Sequence, residues 1–250
     1  MGEYESVQQR ERRFASLVIG LKNIRPDIIA IQEANPVKEF AQRLADSLGF
    51  DYIYQRANGG IKIMNCGIPT NLNEGIAFLA QKDLHLEYHT TWDLSDGFGL
   101  YGNIVSFHFN DRNAALVGKI QIEGKEIVLI NTHLIANGVG DSLSETFIRK
   151  YFESRRLSSE QIENKLTVLR EMSNIRKKQA NVLLENISKE FYDKPVILLG
   201  DFNASPATIE IKMIKEESQY IDLFDGNLGA TWDPEKNTNI KYSLDTVDAS

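Results

Sequence analysis

Three short polar clusters stand directly behind apolar runs in this chain of 250 residues. Gln32-Glu33 follows Ile28-Ile29-Ala30-Ile31. Asn131-Thr132-His133-Leu134 follows Ile127-Val128-Leu129-Ile130. Gly200-Asp201-Phe202-Asn203 follows Val196-Ile197-Leu198-Leu199. Together they supply two carboxylates, one histidine and carboxamides. Hard oxygen donors of this kind suit Mg²⁺ or Mn²⁺ rather than zinc. The same set suits hydrolysis of a phosphate ester, where a cation and hydrogen-bond donors offset charge developing on phosphoryl oxygens.

Each cluster alone has a plainer reading. Glu33 at a strand end is commonly a solvated carboxylate, and His133 a structural histidine. Asp201 to Asn203 has turn composition. The combination, each member behind an apolar run, is what points to a site, because ligands of α/β sheets gather outside strand ends.

The elements that must carry these residues are readable from periodicity. Val7, Phe14, Leu17, Val18, Leu21 and Ile24 recur at helical spacing, and Pro26 stops that helix. The run from Asp27 to Glu33 predicts a strand buried on both faces. Asn35-Pro36 predicts an N-cap with proline at the first helical position, and Gly49 the end of that helix. A strand is expected over 51–55 and a Gly- and Asn-rich loop over 56–74. Strand-like runs follow at 75–80, 84–92, 103–109, 116–122 and 126–134, with Glu123-Gly124 as a tight turn. Residues 137–157 read as irregular. Ser158 and Gln161 form a capping-box pair that starts a long helix through Phe191. Pro195 to Asp201 predicts another buried strand, Ser205-Pro206 starts a helix, and the last thirty residues read as loop.

This mixture of helices, strands and hairpins predicts one α/β domain over 1–250. The 42% hydrophobic and 25% charged residues exclude a disordered chain or a rod. No apolar run approaches the roughly 20 residues that span a bilayer. The single cysteine, Cys66, excludes a disulfide framework and fits a reducing compartment such as the cytoplasm. The net charge of −7 excludes a uniformly basic nucleic-acid surface.

At these clusters the sequence resembles the endonuclease/exonuclease/phosphatase superfamily, the metal-dependent phosphoesterases related to DNase I. Pro26 to Glu33 is similar to its first motif, Asn131-Thr132-His133-Leu134 to its central one, and Gly200-Asp201-Phe202-Asn203 to its third. Thr231-Trp232-Asp233-Pro234 resembles a further segment of some members. The resemblance implies a four-layer α/β sandwich of two facing mixed β-sheets flanked by helices. It implies that Glu33 binds Mg²⁺ (or Mn²⁺) and that His133 contacts the scissile phosphate. It implies that Asp201 orients or deprotonates the attacking water, and that Asn203 holds phosphate or nucleophile. Asn131 is expected at the substrate.

Two parts of the family pattern are absent. No active-site Asn precedes the first helix, and no histidine follows His133, so the terminal Ser-Asp-His motif is missing. The expectation is a fragment truncated at both ends. The competing expectation is a non-catalytic member that binds a phosphorylated ligand or partner. The substrates implied are nucleic acid, a phospholipid head group or a nucleotide-like ester. The acidic balance weighs against tight binding of long duplex DNA.

Residues 149–178 hold nine Lys or Arg against four Glu, densest at Arg176-Lys177-Lys178. With the preceding irregular residues they form a helical basic insertion around 137–178. Arg176 is expected to contact substrate there. The alternative is a solvated helical face with charge pairs. His85 and His89 are expected on one face of a strand. Trp92, Phe98 and Tyr101 read as core or rim aromatics.

Overall fold

The computed structural model describes residues 6–57, 61–63, 66–68, 74–94, 113–136, 142–217 and 220–223. The elements in order are α1 (Val7–Ile24), β1 (Ile28–Ala34), α2 (Val37–Leu48), β2 (Phe50–Arg56), β3 (Ile61–Ile63), β4 (Cys66–Ile68) and β5 (Gly75–Gln81). A short 3₁₀ turn (Lys82–Leu84) leads into β6 (Glu87–Asp93), β7 (Ala114–Ile122) and β8 (Lys125–His133). Then come α3 (Ser142–Ser154), α4 (Ser159–Phe191), β9 (Val196–Asp201) and α5 (Ile209–Glu217).

Two sheets face each other. The first is antiparallel in the order β1-β5-β2. The second, β6-β7-β8-β9, is mixed, because β8 and β9 run parallel. Among the described residues β3 and β4 pair with each other.

Alternation along the strands builds three apolar layers. Ala115, Val117, Val128 and Ile130 face outward and meet Ala180, Leu183, Ile187 and Phe191 of α4. The intervening Ala114, Leu116, Ile120 and Leu129 face inward and meet Ile76 and Phe78 of the first sheet. Ala77 and Leu79 point the other way, onto Val37, Ala41, Leu44 and Ala45 of α2, with Phe14, Val18 and Leu21 of α1 beside them. Helix, sheet, sheet and helix therefore stack as the expected four layers. A separate cluster of Phe152, Ile162 and Leu166 joins α3 to α4.

Local signals hold where the chemistry is short-range. Ser6 and Gln9 cap α1 reciprocally, and Ser158 and Gln161 do the same for α4. Glu123 and Gly124 both take positive φ, at 51° and 76°, which is the pair of left-handed residues a two-residue hairpin turn needs.

Several expectations are corrected. Residues 142–154 form a helix, since Ile148, Tyr151 and Phe152 make a narrow stripe against α4 that the surrounding polar residues obscure. Pro36 is the N-cap of α2 rather than its first helical residue, and its carbonyl accepts the first intrahelical bond, from Phe40 N at 3.0 Å. His85 ends the 3₁₀ turn in a left-handed conformation instead of lying on β6. β1 and β9 are half-buried, each being the outermost described strand of its sheet. Trp92 is buried in the core, as expected. Residues 103–109, Phe98, Tyr101 and the segment from Thr231 lie outside the described residues. Among the described residues no helix is long and apolar enough to cross a membrane.

Candidate active site at the strand ends

Glu33 owes its position to a bulge. Ile31 pairs with Ala77 and Ala34 with Gly75, so Gln32 and Glu33 together oppose the single residue Ile76. A bulge re-aims the side chains it carries. Glu33 takes φ 55°, a left-handed conformation uncommon outside glycine. The result splits the two neighbours. Gln32 turns toward the second sheet, while Glu33 points outward with 64% of its side chain exposed.

Asn131 receives Gln32 across the sheets. Gln32 Nε2 donates to Asn131 Oδ1 at 2.6 Å. Asn131 Nδ2 donates to the carbonyls of Ile31 at 3.0 Å and Ala77 at 2.9 Å. The residue is fully buried. Its amide is engaged in joining the sheets.

His133 ends β8, and parallel register sets it opposite Asp201 at the end of β9. Leu134 N donates to Asp201 O at 2.9 Å, which fixes that register past the histidine. Across the sheets, His133 Nε2 lies 3.9 Å from Glu33 Oε1, with 22% of the histidine side chain exposed. The two side chains line a small recess of about 20 Å³ together with Glu74, Gly75 and Ala114. That is about the room one bound water needs.

Gly200 permits the close approach of the two strands. Its φ is 145°, and a Cβ there would sit 2.1 Å from the carbonyl oxygen of Thr132. Asp201 is exposed, and its Oδ1 accepts from Asn203 N at 2.9 Å, an Asx turn. Asn203 takes φ 48°, and its Nδ2 donates to Leu134 O at 2.8 Å. Asn203 thus ties the loop after β9 to the loop after β8.

Arg176 is placed elsewhere. It is 1% exposed, and its Nε donates to Glu210 Oε1 at 2.9 Å. The guanidinium is buried and paired with α5. The stripe of α4 that carries Arg176 packs inward with Gln179, Ala180 and Leu183. Arg149 and Arg170 are likewise engaged, by Glu145 and Glu163. Charge pairing at Arg149 and Arg170 favours the solvated-face alternative for that part of the basic stretch.

Sequence reasoning missed three contributors. Glu74 lies in the loop before β5, where no pattern marks it. Asn113 donates from Nδ2 to His133 O at 3.0 Å. Its signal was available, as a polar residue opening the apolar run Ala114 to Val117, but it had no partner in view. Gln179 stands at the end of the basic stretch, whose charge masks it.

The donor chemistry fits a divalent cation at Glu33. Among the described residues no three His, Cys, Asp or Glu side chains converge as a cage. Mg²⁺ does not need one, since it typically uses one or two carboxylates, waters and substrate phosphate oxygens.

The sequence profile of the Endonuclease/Exonuclease/phosphatase family matches residues 4–245. No curated protein sequence matches the chain at a significant level. Among solved structures, the human Nocturnin catalytic domain with bound sulfate superposes with a TM-score of 0.56 at 16% identity. That match covers 89% of this chain and 70% of the other. An endonuclease/exonuclease/phosphatase from Bacteroides vulgatus gives 0.53 at 17% identity, covering 85% and 67%. A mannosyl-6-phosphatase of Bacteroides thetaiotaomicron gives 0.52 at 16%, covering 83% and 62%. The chain therefore spans about two thirds of the length of these structures, and at such identities the likeness is one of fold.

Proposed function

The chain belongs to the endonuclease/exonuclease/phosphatase family, and on that premise we propose that it hydrolyses a phosphate ester by direct attack of water, with Mg²⁺ or Mn²⁺ as cofactor. The observation that carries this reading is the convergence of three strand ends. Glu33 faces His133 at 3.9 Å, and His133 stands in register with Asp201.

The roles follow from chemistry. The exposed carboxylate of Glu33 would hold the cation. When bound, the cation offsets negative charge on the phosphoryl oxygens. His133 donates a hydrogen bond to a non-bridging oxygen, an interaction that strengthens as charge develops there. Asp201 accepts a proton from the attacking water. The water oxygen bonds to phosphorus while the bond to the leaving oxygen breaks, and that oxygen keeps the electron pair. Asn203 holds the loops that carry His133 and Asp201 at a fixed distance. The net charge of −7 favours a small or membrane-derived ester over long duplex DNA.

Hydrolysis of a chromogenic phosphodiester and of a phosphomonoester tests this, with and without Mg²⁺ or Mn²⁺. Cation-dependent turnover that falls at least a hundredfold in Asp201→Asn and in His133→Ala supports the reading. Cation binding without turnover of either ester overturns it and leaves a binding role.

A further inference from the structure

The backbone at His133 is held from behind by a closed ring of side-chain amides. Gln179, on the inward stripe of α4, is only 2% exposed. Its Oε1 accepts from Ile135 N at 2.9 Å. Its Nε2 donates to Asn113 Oδ1 at 3.0 Å. Asn113 Nδ2 then donates to His133 O at 3.0 Å. The ring leaves the backbone at Ile135 and returns to it at His133.

The direction of every bond in the ring is forced. A backbone N–H can only donate, so Gln179 must turn its Oε1 toward Ile135. That aims its Nε2 at Asn113, which must answer with Oδ1. Asn113 is then left with its Nδ2 for His133 O, which can only accept. Flipping either amide sets donor against donor or acceptor against acceptor. Burial makes such a mismatch costly, so one geometry prevails.

The mounting is rigid. Ala180 and Leu183, next along α4, are fully buried in the layer formed with Val128 and Ile130 of β8. Arg176, one turn before, is paired with Glu210 of α5. Leu134, inside the ring, is gripped separately by Asp201 O and Asn203 Nδ2. The strand exit is therefore held at three consecutive residues, and the imidazole of His133 projects from the first of them.

We infer that Gln179 is a positioning residue for His133, acting through Asn113 and Ile135 to hold the imidazole toward Glu33. This rests on the phosphoesterase reading for its kinetic consequence, but not for its structural one. A displacement of about 1 Å at a catalytic group lowers turnover by orders of magnitude while leaving substrate binding largely intact.

The test uses Gln179→Met, which keeps the shape and removes both hydrogen bonds. Gln179→Glu is the conservative variant, since a protonated carboxyl can still accept from Ile135 and donate to Asn113. Ile187→Ala, lower on α4 and outside the ring, controls for loss of stability. Two quantities are read: kcat and KM for the cation-dependent hydrolysis, and the imidazole NMR signal of His133, assigned with His133→Gln. The chain has only four histidines, which makes the assignment tractable.

The expected result is a displaced His133 signal in Gln179→Met. Its kcat falls roughly tenfold or more, with KM within about twofold. Ile187→Ala lowers the melting temperature and leaves the signal in place. Gln179→Glu resembles the native protein at low pH and Gln179→Met once its carboxyl ionises. An unmoved His133 signal in folded Gln179→Met overturns the inference. If the native chain shows no turnover, the phosphoesterase reading fails and the NMR signal alone decides this one. Should Gln179→Met not fold, Asn113→Ala breaks the same ring and is read in the same way.

Discussion

Gln32 of β1 donates to Asn131 of β8 at 2.6 Å, and this one hydrogen bond crosses between the two sheets immediately beside Glu33 and His133. Asn131 extends the link with two further bonds, to Ile31 O and Ala77 O. Glu33 follows Gln32 directly, and His133 lies two residues beyond Asn131. The two sheets are therefore joined beside Glu33 and His133 by a part-buried amide pair.

Replacing Asn131 by Ala leaves two strand carbonyls and the Gln32 amide without their partner. Each buried polar group stripped of its partner costs about 1–3 kcal/mol. Urea unfolding of Asn131→Ala is expected to show a loss of about 2–4 kcal/mol on that basis, with incomplete relaxation. Unchanged stability would mean that the sheets are held apart by packing alone.

Gly200 makes the pairing of His133 with Asp201 possible. At φ 145°, with Thr132 O 2.1 Å from where a Cβ would lie, alanine is excluded by both backbone and space. Gly200→Ala must push β9 away from β8 or rotate the peptide before Asp201. Backbone strain of this kind alone costs of order 1–3 kcal/mol. Chemical denaturation should record at least that loss. The phosphodiester assay should record a fall in kcat beyond the loss of folded protein, because the displaced residue is Asp201. An active Gly200→Ala would separate the strand register from the chemistry.

Much of this arrangement is legible from residue order. The apolar runs announce β1, β8 and β9, and the polar residues behind them mark where the strands end. Period-2 alternation assigns Val128 and Ile130 to one face and Leu129 to the other. What is not legible is which polar residue at a strand end faces in. Asn131 and His133 are two apart and share a face by alternation, yet one lies between the sheets and the other at their rim. Glu33 and Gln32 are separated only by a bulge, which depends on pairing with β5. Arg176 is a second case. Its neighbours Lys177 and Lys178 suggest a solvated patch, but helical phase turns Arg176 inward to Glu210, a residue 34 positions away that nothing local connects to it. Helix α3 was hidden because its stripe is narrow and meets only α4.

The α3–α4 contact should respond to acid. Hydrogen bonding from Arg170 holds the Glu145 carboxyl below its ordinary value, and hydrogen bonding from Arg149 does the same for Glu163. A carboxylate whose pKa is depressed by folding stabilises the fold above the unfolded value. That contribution is lost as pH falls through the folded one. The pairs are surface ones, so the effect is small and screened by salt. Proteolysis at α3, followed from pH 6 to pH 3, should accelerate on the acid side, and Arg170→Gln should flatten that dependence. An identical acid profile in Arg170→Gln would show that the arginine contributes nothing there.

The Arg176–Glu210 pair makes the sharpest stability prediction. Both side chains are 1% exposed and joined by one 2.9 Å contact. Arg176 Nη1 and Glu210 Oε2 find no hydrogen-bond partner among the described residues. Desolvation of two such charges offsets most of their attraction when further bonds are lacking. Removing one partner strands the other, so Arg176→Met alone should cost about 3–5 kcal/mol. Removing both exchanges two poorly satisfied charges for apolar volume. Arg176→Met with Glu210→Leu should therefore recover most of the loss, and end within about 1 kcal/mol of the native protein or above it. A double-mutant cycle in urea measures both. A double variant as unstable as the single one would mean that the pair is held by further partners and stabilises the packing of α4 on α5 through its charge.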